Sequence, residues 1–216
     1  MSARKRKRKS RKGAPSQRGT SHRKTALRVQ WIEDCHGWEL VHPRCVRQRA
    51  EDIEEVELMI GAGEFDVATD ELRWLLEDCS DFIDAHRLLG EIALEGEDWP
   101  LARAHLGYCY DIGSAAMNAA GAVGPLSQNL SSNRGLLLAT YLFAGVLYRL
   151  DKRKTAKSVL RRLLEWDPKD PLGAAELLIA IQQPPYPTSP DSDLPLVELK
   201  PVERQKRNDN REPPGE

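Results

Sequence analysis

Cys35, His36, His42 and Cys45 place four side chains that can ligate zinc within eleven residues. Zinc takes four nitrogen or sulfur ligands in a tetrahedron, and a Cys-His pair followed by His-Pro-Arg-Cys can in principle wrap around one ion. The spacing is not that of a zinc finger, and the adjacent Cys35 and His36 would strain a closed site. The favoured reading of residues 31–48 is an amphipathic lead-in, with Trp31, Trp38, Leu40 and Val41 packed on the element that follows, and no metal or other cofactor is expected. Motifs for catalysis are missing: there is no Gly-rich phosphate loop ending in Lys-Ser/Thr, no dinucleotide fingerprint, no Gly-x-Ser-x-Gly and no His-Glu-x-x-His. His86 and His105 read as partly buried structural residues of helices. The carboxylates are too many and too evenly spread to nominate a catalytic pair, so no enzymatic role is expected.

Charge sorts the chain into opposed parts. The formal net charge of -1 over 216 residues hides twelve Lys or Arg and no acid in residues 1–28. The cations Arg4, Lys5, Arg6, Lys7, Arg8, Lys9, Arg11 and Lys12, spread with others among Ser, Gly and Thr, have the composition of a disordered arm, 1–30, that contacts nucleic acid or another anionic surface. No aromatic residue precedes Trp31, so base stacking by the arm is excluded and its binding would be nonspecific and salt dependent. Residues 51–98 are the reverse, with seventeen Asp or Glu against Arg73 and Arg87 alone. Such a surface steers towards basic segments and repels nucleic acid. The arm can therefore also fold back on this acidic body, within the chain or between copies.

Polar residues 10–28 stand where the apolar part of a secretion signal would follow the basic run. The stretch from Leu136 to Tyr148, thirteen residues, is too short to span a bilayer, which needs about 20. Without a signal or a framework spacing, Cys35, Cys45, Cys79 and Cys109 read as reduced thiols of a cytoplasmic protein, the last two small and buried. Eight of the fourteen prolines fall after Gln183, so 184–216 is expected to be a disordered Pro-rich tail.

Between these ends, apolar residues recur at three- and four-residue intervals, which predicts an all-α domain over 49–183. The helices fall at 49–61, 65–78, 82–95, 99–111, 134–150, 152–166 and 172–183, with Asp81 and Asp98 as candidate N-caps and Pro100 in a first turn. Short links make successive helices neighbours. An offset of 34 residues relates Phe65 to Trp99, Ala68 to Ala102 and Leu72 to Leu106, so one helix is written twice. A third copy at Ala156, Leu160 and Leu163 lies 54 residues after Ala102, and the extra 20 fit the Gly/Ala/Ser/Asn-rich insertion 113–135. Asn129, Asn133 and Arg134 are polar candidates within it. The small residues at 68, 102 and 156, facing Gly90 and Ala144, let paired helices approach.

These positions carry a family resemblance. With Leu89-Gly90, Ala93, the Gly96-Glu97-Asp98 turn, Ala102 and Leu106, and again with Phe143-Ala144, Leu147, Ala156, Leu160, Leu163 and Pro168, the chain resembles tetratricopeptide repeats. The first copy matches only in its second helix, Val56 standing for the small residue of its first. The resemblance implies a short α-solenoid of hairpins at about 49–82, 83–116 and 137–170, with a capping helix over 172–183. It implies a concave groove lined by the first helix of each pair, where a peptide or protein partner docks. The groove positions are Glu57, Asp84, Arg87, Glu91, Tyr141 and Tyr148, joined by Ile53, Ile60, Leu94 and Gly145. Arg87 is followed by Glu91 where the family's carboxylate clamp has Asn, so that clamp is not reproduced. The expected function is a non-catalytic interaction scaffold or adaptor binding a protein or peptide. The alternative is a nucleic-acid- or ribosome-associated protein that binds through its arm.

Overall fold

The structure is a computed structural model that describes residues 27–127 and 129–183. The expected arm up to residue 26 and the tail 184–216 lie outside the described residues. The described residues are mostly helical, but they open with a sheet. Strands β1 (Arg28–Ile32) and β2 (Gly37–Val41) pair antiparallel, with Arg28 opposite Val41 and Trp31 opposite Trp38. This adds a small sheet, ahead of residue 49, to the expected all-α architecture and gives residues 28–30 of the expected arm a place in a strand. Val29, Trp31, Ile32, Trp38 and Val41 are β-branched or aromatic residues that suit a pleated surface. The reversal is a single 3-10 turn, Glu33–Cys35, closed by His36 at φ 47°, and the two tryptophans meet edge-on with centroids 5.6 Å apart.

Helices α1 (Arg44–Gln48), α2 (Ala50–Gly61), α3 (Phe65–Asp78), α4 (Ile83–Glu95), α5 (Trp99–Ala119), α6 (Ser131–Arg149), α7 (Arg153–Trp166) and α8 (Ala174–Gln182) follow. Each packs on its sequence neighbour, and α4 also packs on both α2 and α6. The repeat positions are the contacts: Ala68, Ala102, Ala156, Leu72, Leu106 and Leu160 are all fully buried. A Cβ on Gly90 would lie 2.6 Å from the Leu106 side chain, so glycine there sets how closely α4 and α5 approach. Asp98 caps α5 by accepting from the Leu101 N–H at 3.0 Å, with Pro100 in the first turn. The other expected cap is corrected: α4 starts after Phe82, and Asp81 accepts instead from Ser80 Oγ and from Tyr108 Oη at 2.8 Å. Asp170 accepts from the N–H groups of Ala174 and Ala175, fixing the start of α8.

The expected insertion is largely helix. Helix α5 continues to Ala119, because Gly113, Ala116 and Met117 are buried and Gly113 faces the Leu136 side chain of α6. The connection shrinks to 120–130, which docks on its surroundings: Pro125 O accepts from the Trp38 N–H and Trp166 O from the Leu126 N–H. Asn133 is fully buried and does not decorate a surface. Its Oδ1 accepts from the Leu40 N–H at 2.8 Å, and its Nδ2 donates to Trp38 O at 2.9 Å and to Ser127 O at 2.8 Å. One amide thus joins β2, the connection and α6. Asn133→Leu leaves the buried Leu40 N–H without an acceptor, while Trp38 O keeps the Ser127 N–H and Ser127 O the Leu130 N–H, and we expect it to cost about 1–3 kcal/mol, the cost of one orphaned buried group. Urea unfolding monitored by tryptophan fluorescence checks this, and an unchanged midpoint would show that the hairpin is held by its apolar face alone.

Two apolar clusters fill the interior. One joins the sheet to α5–α8 around Leu106, Leu136, Leu147, Leu160 and Trp166. The other holds α1–α3 against α4 through Val56, Leu72, Leu75 and Phe82. Within the smaller cluster Cys45 and Cys79 form a disulfide, with Cα atoms 5.9 Å apart, which corrects their reading as free thiols. The single turn of α1 brings Cys45 beside the end of α3, at a separation that a disulfide spans. Cys35 and Cys109 are free thiols, and Cys109 is buried with Sγ donating to Ile83 O.

Candidate functional site

The face where α2, α4 and α6 meet is built around one cation. Arg87, at mid-α4, is only 8% exposed and spends three donors on three carboxylates. Its Nη1 donates to Glu91 Oε1 at 2.7 Å, its Nη2 to Glu57 Oε1 at 3.0 Å and its Nε to Asp84 Oδ1 at 3.3 Å. Helical geometry supplies two of these partners, since positions i-3 and i+4 share a face with residue i. The third comes from α2, thirty residues earlier. Burial opposes the charge on Arg87, but Glu91, Asp84 and Glu57 outweigh it, so the guanidinium stays protonated above its ordinary range. The carboxylates themselves are each about one third exposed. With one cation against three anions, the cluster presents a formal charge of -2 on the face that α2 and α4 share.

Gly135 completes the cluster from α6. A side chain there would collide with the Asp84 carboxylate, so α6 approaches with bare backbone. Asp84 is thereby held between Arg87 and α6, and the three carboxylates are fixed before any partner arrives. Chemically this is an acceptor array: each carboxylate takes one Arg87 hydrogen bond on a single oxygen, and an ammonium or guanidinium brought to the exposed edges completes the charge balance. Nothing in the cluster resembles a nucleophile activated by a base.

Four of the six expected groove residues, Glu57, Asp84, Arg87 and Glu91, are therefore brought together. The two tyrosines are half-buried further along α6. Burial, then Glu176 and Asp170 at the α8 end, push the Tyr141 phenol upward, while Tyr148 stacks under Arg153 at 5.5 Å. Sequence reasoning misses Gly135, although its place four residues before the buried Ala139, on one face of a first helix, is the pattern that marks a close approach. His86 and His105 belong to the α4–α5 seam. Their Nδ1 atoms lie 3.0 Å apart, and His86 Nε2 lies 3.0 Å from Ser80 O. Burial, then the nearby His86 and Arg73, push His105 down to about 4, and burial also lowers His86, so both rings are neutral links between helices.

The four sequence-nominated zinc ligands are not brought together. Cys45 is in the disulfide, His42 Nε2 bonds to Ser132 O at 2.8 Å, Cys35 Sγ points at Ile32 O, and His36 is exposed in the turn. Among the described residues no three His, Cys, Asp or Glu side chains are grouped to hold a metal ion. Among them, too, no helix is long and apolar enough to cross a membrane. The arm cations Arg4 to Lys12 lie outside the described residues. No family model matches the chain, and no curated protein matches it.

Proposed function

We propose that the protein is a non-catalytic interaction scaffold, a short tetratricopeptide-like array that binds a basic segment of a protein or peptide partner on the face formed by α2, α4 and α6. The observation that carries this reading is the carboxylate cluster Glu57, Asp84 and Glu91, organised by one buried arginine and left open at its outer edges. A cluster serving only the fold would be charge-balanced; this one retains an excess of two negative charges where two first helices run side by side. The half-buried Tyr141 and Tyr148 extend the same series of helices with amphipathic rings suited to the stem of a Lys or Arg.

Titration of the full chain with a fluorescent Lys/Arg-rich dodecapeptide tests the reading. We expect saturable binding that weakens with salt, and a loss of about tenfold or more in Glu57→Gln/Glu91→Gln, which keeps the hydrogen bonds to Arg87 and removes the charge. Equal binding by the double variant would remove the site. The chain's own residues 1–26, carrying eleven Lys or Arg and no acid, are one such basic segment. A cytoplasmic location belongs to the same proposal, and the Cys45–Cys79 pair supplies its test.

A further inference from the structure

The two edges of the hairpin sheet are finished differently. On the outer side of β2 the Leu40 N–H donates to Asn133 Oδ1, the Trp38 N–H donates to Pro125 O, and Trp38 O accepts from the Ser127 N–H and from Asn133 Nδ2. These bonds fix the phase of the ladder. Since Trp38 and Leu40 turn their backbone groups away from β1, the residues opposite them, Trp31 and Val29, turn theirs away from β2, while Arg28, Gln30 and Ile32 exchange bonds with Val41, Glu39 and Gly37. The N–H and C=O of Val29 and Trp31 thus line the outer edge of β1, and among the described residues nothing bonds to them. Exposed edges are commonly protected by lysine, proline or a bulge. Strand β1 pairs without a bulge from Arg28 to Ile32 and has neither proline nor charge between Arg28 and Glu33. Val29, with Trp38 and Leu40, packs on the core of α5–α8, whereas Trp31 stays 40% exposed at the rim.

We propose that this edge is an interface with a second copy of the chain: β1 pairs antiparallel with β1 of the other copy, joining the two hairpins into one continuous sheet about a two-fold axis at Gln30. The register follows from the free groups. Val29 of each copy exchanges both backbone bonds with Trp31 of the other, and Gln30 faces Gln30. Across each bonded pair Val29 covers the exposed Trp31 ring of the other copy. A two-fold interface must be self-complementary, and the charges flanking the strand meet that condition. Arg28 stands at its start, and Glu33 and Asp34 follow its end; all three are exposed, and none has an ion pair among the described residues. Antiparallel pairing brings the start of one strand to the end of the other, so Arg28 of each copy comes beside Glu33 and Asp34 of its mate. Parallel pairing would instead set like charges together at both ends. An extended peptide is the competing occupant. The second copy is favoured because one short segment supplies both the free bonds and the opposite charge at each end. Asn133, which holds β2, lies two residues before Gly135 of α6, so a pair joined here carries two acidic clusters, each anchored to the shared sheet.

Sedimentation equilibrium of the full chain tests the interface. An interface this small belongs to the weak class, and we expect a dimer with a Kd on the order of 10–100 μM. Arg28→Glu places like charges together at both ends and should weaken the dimer about tenfold or more, as should Glu33→Lys/Asp34→Lys. Mixed in equal amounts, the two variants should associate with an affinity close to that of the unaltered chain, because each copy then meets the opposite charge at both ends. Circular dichroism and the thermal midpoint verify that both variants keep the fold. Amide exchange at Val29 and Trp31 should slow as the protein concentration rises. A chain that stays monomeric at about 1 mM would overturn the proposal, as would a dimer whose Kd is the same in both variants. Slow exchange at Val29 and Trp31 that is independent of dilution would assign the edge to a segment of the same chain and overturn it equally. Protection of these amides that appears only when the Lys/Arg-rich dodecapeptide is added would give the edge to a peptide, again against the proposal. Binding on the α2–α4–α6 face stands or fails on its own titration.

Discussion

Replacing Arg87 by methionine is expected to lower stability by about 3–5 kcal/mol, the cost of removing one member of a buried ion cluster and leaving the rest without a counter-charge. The size follows from the geometry. Arg87 is 8% exposed and touches Glu57, Asp84 and Glu91, so its loss leaves three carboxylates facing one another with no cation between them. Their mutual repulsion then opposes folding. Adding Glu57→Gln, Asp84→Asn and Glu91→Gln to Arg87→Met should recover a large part of the loss at neutral pH. Urea denaturation at pH 7 reads both. A deficit under about 1 kcal/mol would mean that the cluster is solvated well enough for Arg87 to be dispensable.

The second large effect is expected from the disulfide. Cys45 and Cys79 are 34 residues apart, and their bridge closes a loop containing all of α2 and α3. Loop-closure entropy for that length predicts a stabilisation of about 3–4 kcal/mol, exerted on the smaller apolar cluster. Reduction, or Cys45→Ser, should lower the thermal midpoint by roughly 10 °C, and hydrogen exchange should accelerate first in α1, α2 and α3, while α6 and α7 keep their protection. Identical midpoints with and without reductant would show that apolar packing alone holds this end. The same pair reports location. Alkylation of acid-quenched cells in which Cys45 and Cys79 are both labelled without reductant is what the proposed cytoplasmic location requires. Labelling only after reduction would place the protein in an oxidising compartment.

How much of this was legible in the sequence varies with the range of the interaction. The helices and their contacts were readable because Ala68, Ala102 and Ala156 and the leucines four residues after them repeat a local pattern, and burial enforces it at each copy. Asp84, Arg87 and Glu91 were legible as one helix face, and Glu57 followed from the repeat register. The hairpin was not, since each strand is only five residues long and its alternation is too brief to separate from a helical face. The sequence places the end of this helix at residue 111 because the stretch from Gly113 onward is rich in Gly, Ala, Ser and Asn; Gly113 is instead a contact that admits the Leu136 side chain. Asn133 looked like loop decoration because nothing local shows that its three partners come from segments up to 95 residues away. The disulfide failed for the same reason: its two cysteines carry no local mark, and only the turn of α1 brings them together.

The central claim is that a basic segment docks across the first helices over the Arg87 cluster. Amide chemical-shift mapping of the full chain, titrated with the Lys/Arg-rich dodecapeptide at moderate salt, tests it most directly. The account predicts saturating shifts gathered around Glu57, Asp84, Glu91 and Gly135 and extending along α6 towards Tyr141, all absent in Glu57→Gln/Glu91→Gln. Shifts confined to α3 and α5, or scattered over every acidic residue without saturation, would contradict it.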